Sequence, residues 1–453
     1  MGESARPDGH GMSAMPKHIY SFANYFWYAA GTGFMLLAPL AVTIALNRIG
    51  SPTEVGIYSF AYAVTAPMQA FLGMHARTFI AMDRLYGHGP VDVAAQRLHM
   101  LVGLFLGAGI VVAVRGFNGQ EVGVLAAMCL VRTAESLAEV SAGAMQRQHR
   151  PDLIALTYGV RAVVAIGIFA LLYSTGFGLA LALAAMAVAR LVAFALLDCR
   201  ILSRIGAPLS WSHALESARS RRPFLLFRHL LPAALLILLS VIETNTPRYV
   251  VEGATGLVEL GVFTSLTFVL YAATNLIVPV YQMTIAPLGQ WASRPGATAA
   301  RHATRIVIVN ALIAVAAGIV LMIAVRLVGA QLVVWGLGPQ YVGRQALLVA
   351  LSAGAAVSML RSCLGFILTG LDAIRTLSVM SVVNMGLFGT LVLIGAGGDG
   401  VIGIAWAWTM SSGATTVAGL LVAIGRLARL RHDGSPRHPA AGGVTPISRR
   451  VMP

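Results

Sequence analysis

Apolar stretches of about twenty residues recur along this chain, each separated from the next by a short polar or basic segment, and a run of that length is what an α-helix needs to cross a bilayer. Twelve such runs can be marked, at 20–46, 55–80, 98–115, 122–146, 152–173, 178–199, 224–246, 259–288, 304–327, 343–369, 375–395 and 400–425. The division of 152–199 into two runs rests on the turn signal STGFG at 174–178. The pattern predicts an all-α polytopic membrane protein. The longest connection, 198–223, is basic and splits the runs six and six; a short surface helix is expected within it.

One run breaks the apolar pattern at its centre. The stretch 122–146, VGVLAAMCLVRTAESLAEVSAGAMQ, carries Arg132, Glu135 and Glu139. On a helix all three fall within a sector of about 60°. A charge at mid-bilayer costs roughly 2.5–3.5 kcal/mol on insertion scales, so three on one stripe must face protein or water. Two explanations stand side by side: a structural Arg132–Glu135 ion pair that locks the helix to a neighbour, or the wall of a polar cavity. Arg161 and Arg190 lie at similar depth in the next two runs and need partners, for which Glu135 and Glu139 are the candidates. Glu243, Arg248, Asn275 and Arg361 complete the set of membrane-depth polar residues, with Glu243 and Arg248 placed near an outer mouth and Arg361 close enough to its end to snorkel.

Charge supplies orientation. With the N-terminus in the cytoplasm, 22 Lys and Arg residues fall in cytoplasmic segments and five (Arg48, Arg115, Arg248, Arg326 and Arg344) on the opposite face. Both termini are therefore expected in the cytoplasm. The net charge of +15 follows this topology and forms no compact basic domain, so a nucleic-acid partner is not expected. Cys129, Cys199 and Cys363 sit in or at the ends of apolar runs, as small buried hydrophobes do. There is no GxxxxGK[ST], no HExxH and no nucleophile elbow, so neither an enzyme nor a cofactor or metal site is expected.

The two halves echo one another. EVGIYSF at 54–60 corresponds to ELGVFTS at 259–265, and GAMQRQHRPDL at 143–153 to GFILTGLDAIRTL at 365–377. Six spans separate the copies, so both cross in the same direction, as in a parallel pseudo-twofold repeat about an axis along the membrane normal. The domain plan is a disordered cytoplasmic N-terminus (1–18), an N-terminal six-helix lobe (19–199), the basic loop (200–223), a C-terminal six-helix lobe (224–425) and a disordered basic tail (426–453). Pro39, Pro67, Pro232, Pro279 and Pro287 interrupt equivalent spans of both halves, as bending gates would require.

Four segments, ALNRIGSPTEVGIYSFAYAV (45–64), SAGAMQRQHRPDLIALTYGVRA (141–162), TPRYVVEGATGLVELGVFTSLTFV (246–269) and WGLGPQYVGRQALLVALSAGAAVS (335–358), resemble in order those of the polysaccharide flippases, O-antigen and lipid-linked oligosaccharide transporters of the multidrug/oligosaccharidyl-lipid/polysaccharide exporter superfamily. That resemblance implies a two-lobed, twelve-helix exporter in the bacterial inner membrane. It would move an undecaprenyl-diphosphate-linked oligosaccharide between leaflets for surface-polysaccharide or lipopolysaccharide synthesis, beside a polymerase and glycosyltransferases. It also implies a cationic cavity, for which Arg132, Arg161, Arg190, Arg248 and Arg361 are the candidates. Glu135 and Glu139 would balance those arginines or couple transport to protons. A cation-coupled drug exporter of the multidrug and toxin extrusion type, and a non-transporting membrane scaffold for glycan assembly, are the competing readings.

Overall fold

The computed structural model describes residues 22–432 apart from 75, 82–87, 293–295 and 372. The expected N-terminal segment 1–18 and the tail beyond 432 lie outside the described residues. Those described are helical and contain no strand. In order they form α1 (Phe22–Ile49), α2 (Pro52–Gly73), α3 (Ala76–Ala81), α4 (Pro90–Arg115), α5 (Gly119–Arg147), α6 (Pro151–Ser174), α7 (Leu179–Ala193), α8 (Cys199–Arg204), α9 (Trp211–Arg219), α10 (Arg222–Asn275), α11 (Val278–Ala292), α12 (Ala297–Ala324), α13 (Ala330–Leu337), α14 (Gln345–Gly370), α15 (Ile374–Leu393) and α16 (Gly400–His432). Single π-turns join α7 to α8 at Phe194–Asp198 and α12 to α13 at Val325–Gly329.

Hydrocarbon cannot satisfy backbone N–H and C=O groups, so a spanning chain bonds them within each helix. Local sequence sets where the helices begin. Ser51 and Glu54 cap α2 reciprocally, the Ser51 N–H donating to Glu54 Oε2 at 3.0 Å and the Glu54 N–H to Ser51 Oγ at 3.2 Å. Asn118 and Glu121 repeat the device at the start of α5. Proline opens α2, α4 and α6, where its missing N–H costs nothing. The expected short helix in the basic loop is α9, and α16 runs through His432, into the stretch read as tail.

Nine helices among the described residues are long and apolar enough to cross a membrane. Leu106, Val114, Leu276 and Leu393 expose their apolar side chains, as lipid-facing positions do. The chain is a multi-pass membrane protein. α5 is absent from the nine, although the apolar pattern marked it as a span; the charges at its middle lower its hydropathy.

α10 is two helices. Gly256 stands at φ 85°, ψ −179°, outside helical geometry, and the chain turns back there. The Arg248 guanidinium lies 5.2 Å from the Phe268 ring, whereas a straight helix would separate those residues by about 30 Å. The returning arm packs on α2 where the echoed sequences EVG and ELG meet. A Cβ placed on Gly56 would fall 2.0 Å from the Leu257 carbonyl oxygen, and one on Gly261 would fall 2.9 Å from the Gly56 nitrogen. Only glycine permits backbones to approach this closely.

The same end of the bundle is laced together across the chain's halves. Asn47 Nδ2 donates to Ser265 Oγ at 2.8 Å, and Tyr341 donates to Asn47 Oδ1 at 2.7 Å. Gln340 Nε2 reaches the Asn47 carbonyl at 2.9 Å, Arg48 Nε donates to the Gly336 carbonyl at 3.1 Å, and Arg115 pairs with Glu252. Below this closure, toward the middle of the bundle, a cavity remains.

Candidate functional site

The cavity has a volume of about 420 Å³ and is walled by α1, α2, α5, α6, α7 and both arms of α10. Six of the nine residues picked out from the sequence border it: Arg132, Glu135, Glu139, Arg161, Arg190 and Arg248. Four guanidiniums therefore face two carboxylates.

The α5 stripe forms as its spacing requires. Arg132 Nη1 donates to Glu135 Oε2 at 3.1 Å, one turn on. Arg190 of α7 takes the other oxygen of Glu135 at 2.5 Å, so one carboxylate serves two cations and the cluster keeps a positive charge. Arg132 is further fixed by Thr65 Oγ1 at 3.2 Å and the Tyr62 carbonyl at 3.3 Å, and it lies 3.9 Å from the Tyr62 ring centroid. Glu135 and Glu139 keep 30% and 35% of their side-chain surface exposed, the largest values among the cavity charges paired here.

Three expectations are corrected. Arg161 turns to neither Glu135 nor Glu139; its Nη1 donates to Asp198 Oδ1 at 2.7 Å, an oxygen that also accepts from Ser141 Oγ at 2.5 Å. Asp198 stands where the sixth apolar run (178–199) overlaps the basic connection (198–223), and it was not among the residues singled out. It is wholly buried, because the π-turn at Phe194–Asp198 continues α7 and rotates the carboxylate onto α5 and α6. Arg161 Nη2 and Asp198 Oδ2 are buried without a protein partner. Glu139 instead faces Arg97 at 4.0 Å. Arg97 was counted with the cytoplasmic arginines, but it is fully buried in α4 and donates to the Gly73 carbonyl at 2.9 Å. Arg361 does not snorkel: it pairs with Glu243 and donates to Thr415 Oγ1 at 2.8 Å.

Glu243, Arg361 and Asn275 are not on the cavity wall. Glu243 also accepts from Asn384 Nδ2 at 2.7 Å, and Asn384 contacts Ser412 and Thr415, so this is a separate buried cluster of α10, α14, α15 and α16. Asn275 closes the last turn of α10 by donating to the Tyr271 carbonyl at 2.8 Å.

Arg248 differs from the other cavity cations. It is buried, at 6% exposed, and has no carboxylate partner among the described residues. Its Nη1 donates to Asn245 Oδ1 at 2.6 Å, and the rings of Phe268 and Tyr62 lie 5.2 and 5.8 Å away. Its Nε has no hydrogen-bond partner. Tyr62 thus stands between Arg132 of one half and Arg248 of the other, a role that its place in an apolar run did not signal.

The comparisons with known proteins bear on the fold. No family model matches the chain. Over 235 residues it is 26% identical to the capsular polysaccharide biosynthesis protein CapF of Staphylococcus aureus. The match covers 52% of this chain and 57% of that one, so the chain spans little more than half the length of this relative. Among solved structures, it is similar to a MOP superfamily transporter from Pyrococcus furiosus described as having a binding pocket of reverse polarity. That likeness has a TM-score of 0.64 at 14% identity over 90% of this chain and 95% of that one. It is also similar to a multidrug resistance MATE family transporter of the same superfamily in its inward-facing conformation, with a TM-score of 0.60 at 15% identity over 94% and 98%. The chain has the fold of MOP-superfamily transporters.

Proposed function

We propose that this protein is a flippase that carries a lipid-linked oligosaccharide, joined through a diphosphate to undecaprenyl, from the inner to the outer leaflet of a bacterial cytoplasmic membrane. The observation that carries this reading is the excess of positive charge on the cavity wall, with Arg248 lacking an acidic partner among the described residues. A diphosphate with its sugars needs a polar route through hydrocarbon, and guanidinium forks suit phosphate oxygens. The prenyl tail stays in lipid if the halves part sideways. The capsular polysaccharide relative supports a glycan cargo.

In this reading two six-helix lobes alternate about the contact of Gly56 with Leu257 and Gly261. Meeting of echoed glycines supports a pseudo-twofold axis there, since equivalent residues meet on such an axis. Both termini face the cytoplasm, and the laced end holding Asn47, Arg48 and Tyr341 faces outward. Polymerase and glycosyltransferases of the same glycan pathway are the expected partners. Deletion should strand the glycan–lipid intermediate at the inner leaflet. An unchanged outer-leaflet supply, in a strain with no redundant exporter, would refute the proposal.

Glu135 and Glu139, open to the cavity, favour a second reading as a cation-coupled drug exporter. Gradient-driven drug efflux from proteoliposomes that is abolished by Glu135→Gln would select it.

A further inference from the structure

Arg248 is held by groups that proteins use to bind free organic cations. Tyr62 of α2 and Phe268 of the returning arm of α10 meet edge to face, with ring centroids 5.2 Å apart and planes at 80°. The guanidinium lies in the corner they make, 5.8 and 5.2 Å from the two centroids. An amide oxygen, Asn245 Oδ1, caps it at 2.6 Å. Two half-buried aromatic rings and a polar cap on the cavity wall form a cation-binding box, whose Tyr62 ring is shared with Arg132 at 3.9 Å and whose Phe268 ring faces Arg248. The same cavity presents Tyr158 and Tyr271 as further aromatics, and Glu135 and Glu139 as carboxylates. The wall thus contains what an organic cation requires together with what a phosphate requires.

We infer that Arg248 is a resident cation, which fills the organic-cation position of this cavity and so fixes its preference for anionic cargo. The inference rests on the anionic-substrate reading above and names the residue that sets the preference. Because the guanidinium is tethered to its own backbone, its effective concentration in the box is of millimolar order or above, and a free cation must displace it to bind. Its opposite charge partner is then supplied by the cargo. With the tether removed, the Tyr62–Phe268 corner and the Asn245 oxygen remain, and a free guanidinium of matching size can occupy them.

The test uses the purified full-length protein in detergent and methylguanidinium as the probe, read by calorimetry and by thermal stabilisation. Arg248→Ala should bind methylguanidinium at least about tenfold more tightly than the unaltered protein, as cation contacts with two rings imply. Adding Phe268→Leu, whose ring faces Arg248 and not Arg132, should remove the gain. Arg248→Ser, which also vacates the corner, replaces the alanine variant if that one does not fold, and the same gain is expected. Equal binding by the unaltered protein and the folded variant, or a gain that survives Phe268→Leu, overturns the inference. No glycolipid enters this assay. A gain in cation binding alongside absent flipping would keep the resident cation and remove the anionic-cargo reading; the reverse combination would do the opposite.

Discussion

Replacing Asp198 by alanine should be among the most damaging single changes in the N-terminal half. The carboxylate is wholly buried and accepts from Arg161 at 2.7 Å and Ser141 at 2.5 Å. Ser141 keeps a second acceptor, the Ala138 carbonyl at 2.9 Å, so the loss falls on Arg161. Removing one partner of a buried ion pair costs about 3–5 kcal/mol. Arg161 borders the cavity, so part of its guanidinium can be hydrated, which places Asp198→Ala near ~3 kcal/mol. Asp198→Asn keeps an acceptor oxygen and loses only the charge, so ~1.5–3 kcal/mol is expected. The double variant Asp198→Ala/Arg161→Met buries no charge and should recover to within about 1–2 kcal/mol of the unaltered protein. Thermal unfolding in detergent at one fixed scan rate provides the ranking, because apparent midpoints of irreversible transitions compare only at equal rate. The expected order of midpoints is unaltered, then double variant, then Asp198→Asn, then Asp198→Ala. An Asp198→Ala midpoint equal to that of the unaltered protein, or a double variant lower than Asp198→Ala, would refute the pairing.

Three further outcomes follow from the same geometry. Gly56→Ala should lower the midpoint and raise thiol labelling of a cysteine placed at Leu337, buried at the same end, because the new Cβ meets the Leu257 carbonyl at 2.0 Å; Gly109→Ala, which meets nothing within 4 Å, should do neither. Glu135→Gln removes the carboxylate shared by Arg132 and Arg190 and should tighten binding of inorganic pyrophosphate several-fold, measured by calorimetry; weaker binding would mean that Glu135 contacts the ligand itself. Glu243→Gln should lower stability by roughly 2–4 kcal/mol, since Arg361 loses its buried partner, while leaving pyrophosphate affinity unchanged because the pair lies off the cavity wall.

What the sequence disclosed, and what it withheld, has a physical pattern. The α5 stripe was legible because helical periodicity puts Arg132, Glu135 and Glu139 on one face, and mid-membrane charge demands a polar setting. Depth alone linked Arg190 to Glu135 correctly. Asp198 was missed because it falls at the junction of an apolar run with the basic connection, where a carboxylate reads as solvated; only the π-turn, which has no signature in this stretch, carries it inward. Arg97 misled by sitting just before an apolar run, where arginines ordinarily mark topology, although it lies two turns inside α4 and its side chain runs back to the Gly73 carbonyl. Glu243 and Arg361 were each singled out, yet their pairing joins α10 to α14 and depends on packing that no local pattern encodes. The aromatic box was illegible for a related reason: Tyr62 and Phe268 in apolar runs look like any core or lipid-facing ring until the turn at Gly256 brings Arg248 against them.

The central claim, that a cationic cavity conducts an anionic glycolipid between leaflets, is tested most directly in vesicles. The protein is reconstituted with a fluorescent undecaprenyl-diphosphate oligosaccharide in both leaflets, and the fraction reached by an impermeant quencher is followed over time. The unaltered protein should expose the inner-leaflet pool, and Arg248→Gln should slow that exposure at least about tenfold, since loss of a charged hydrogen-bonding partner to phosphate is worth about 1.5–3 kcal/mol. Exposure no faster than in protein-free vesicles, or exposure indifferent to Arg248→Gln, would contradict the claim.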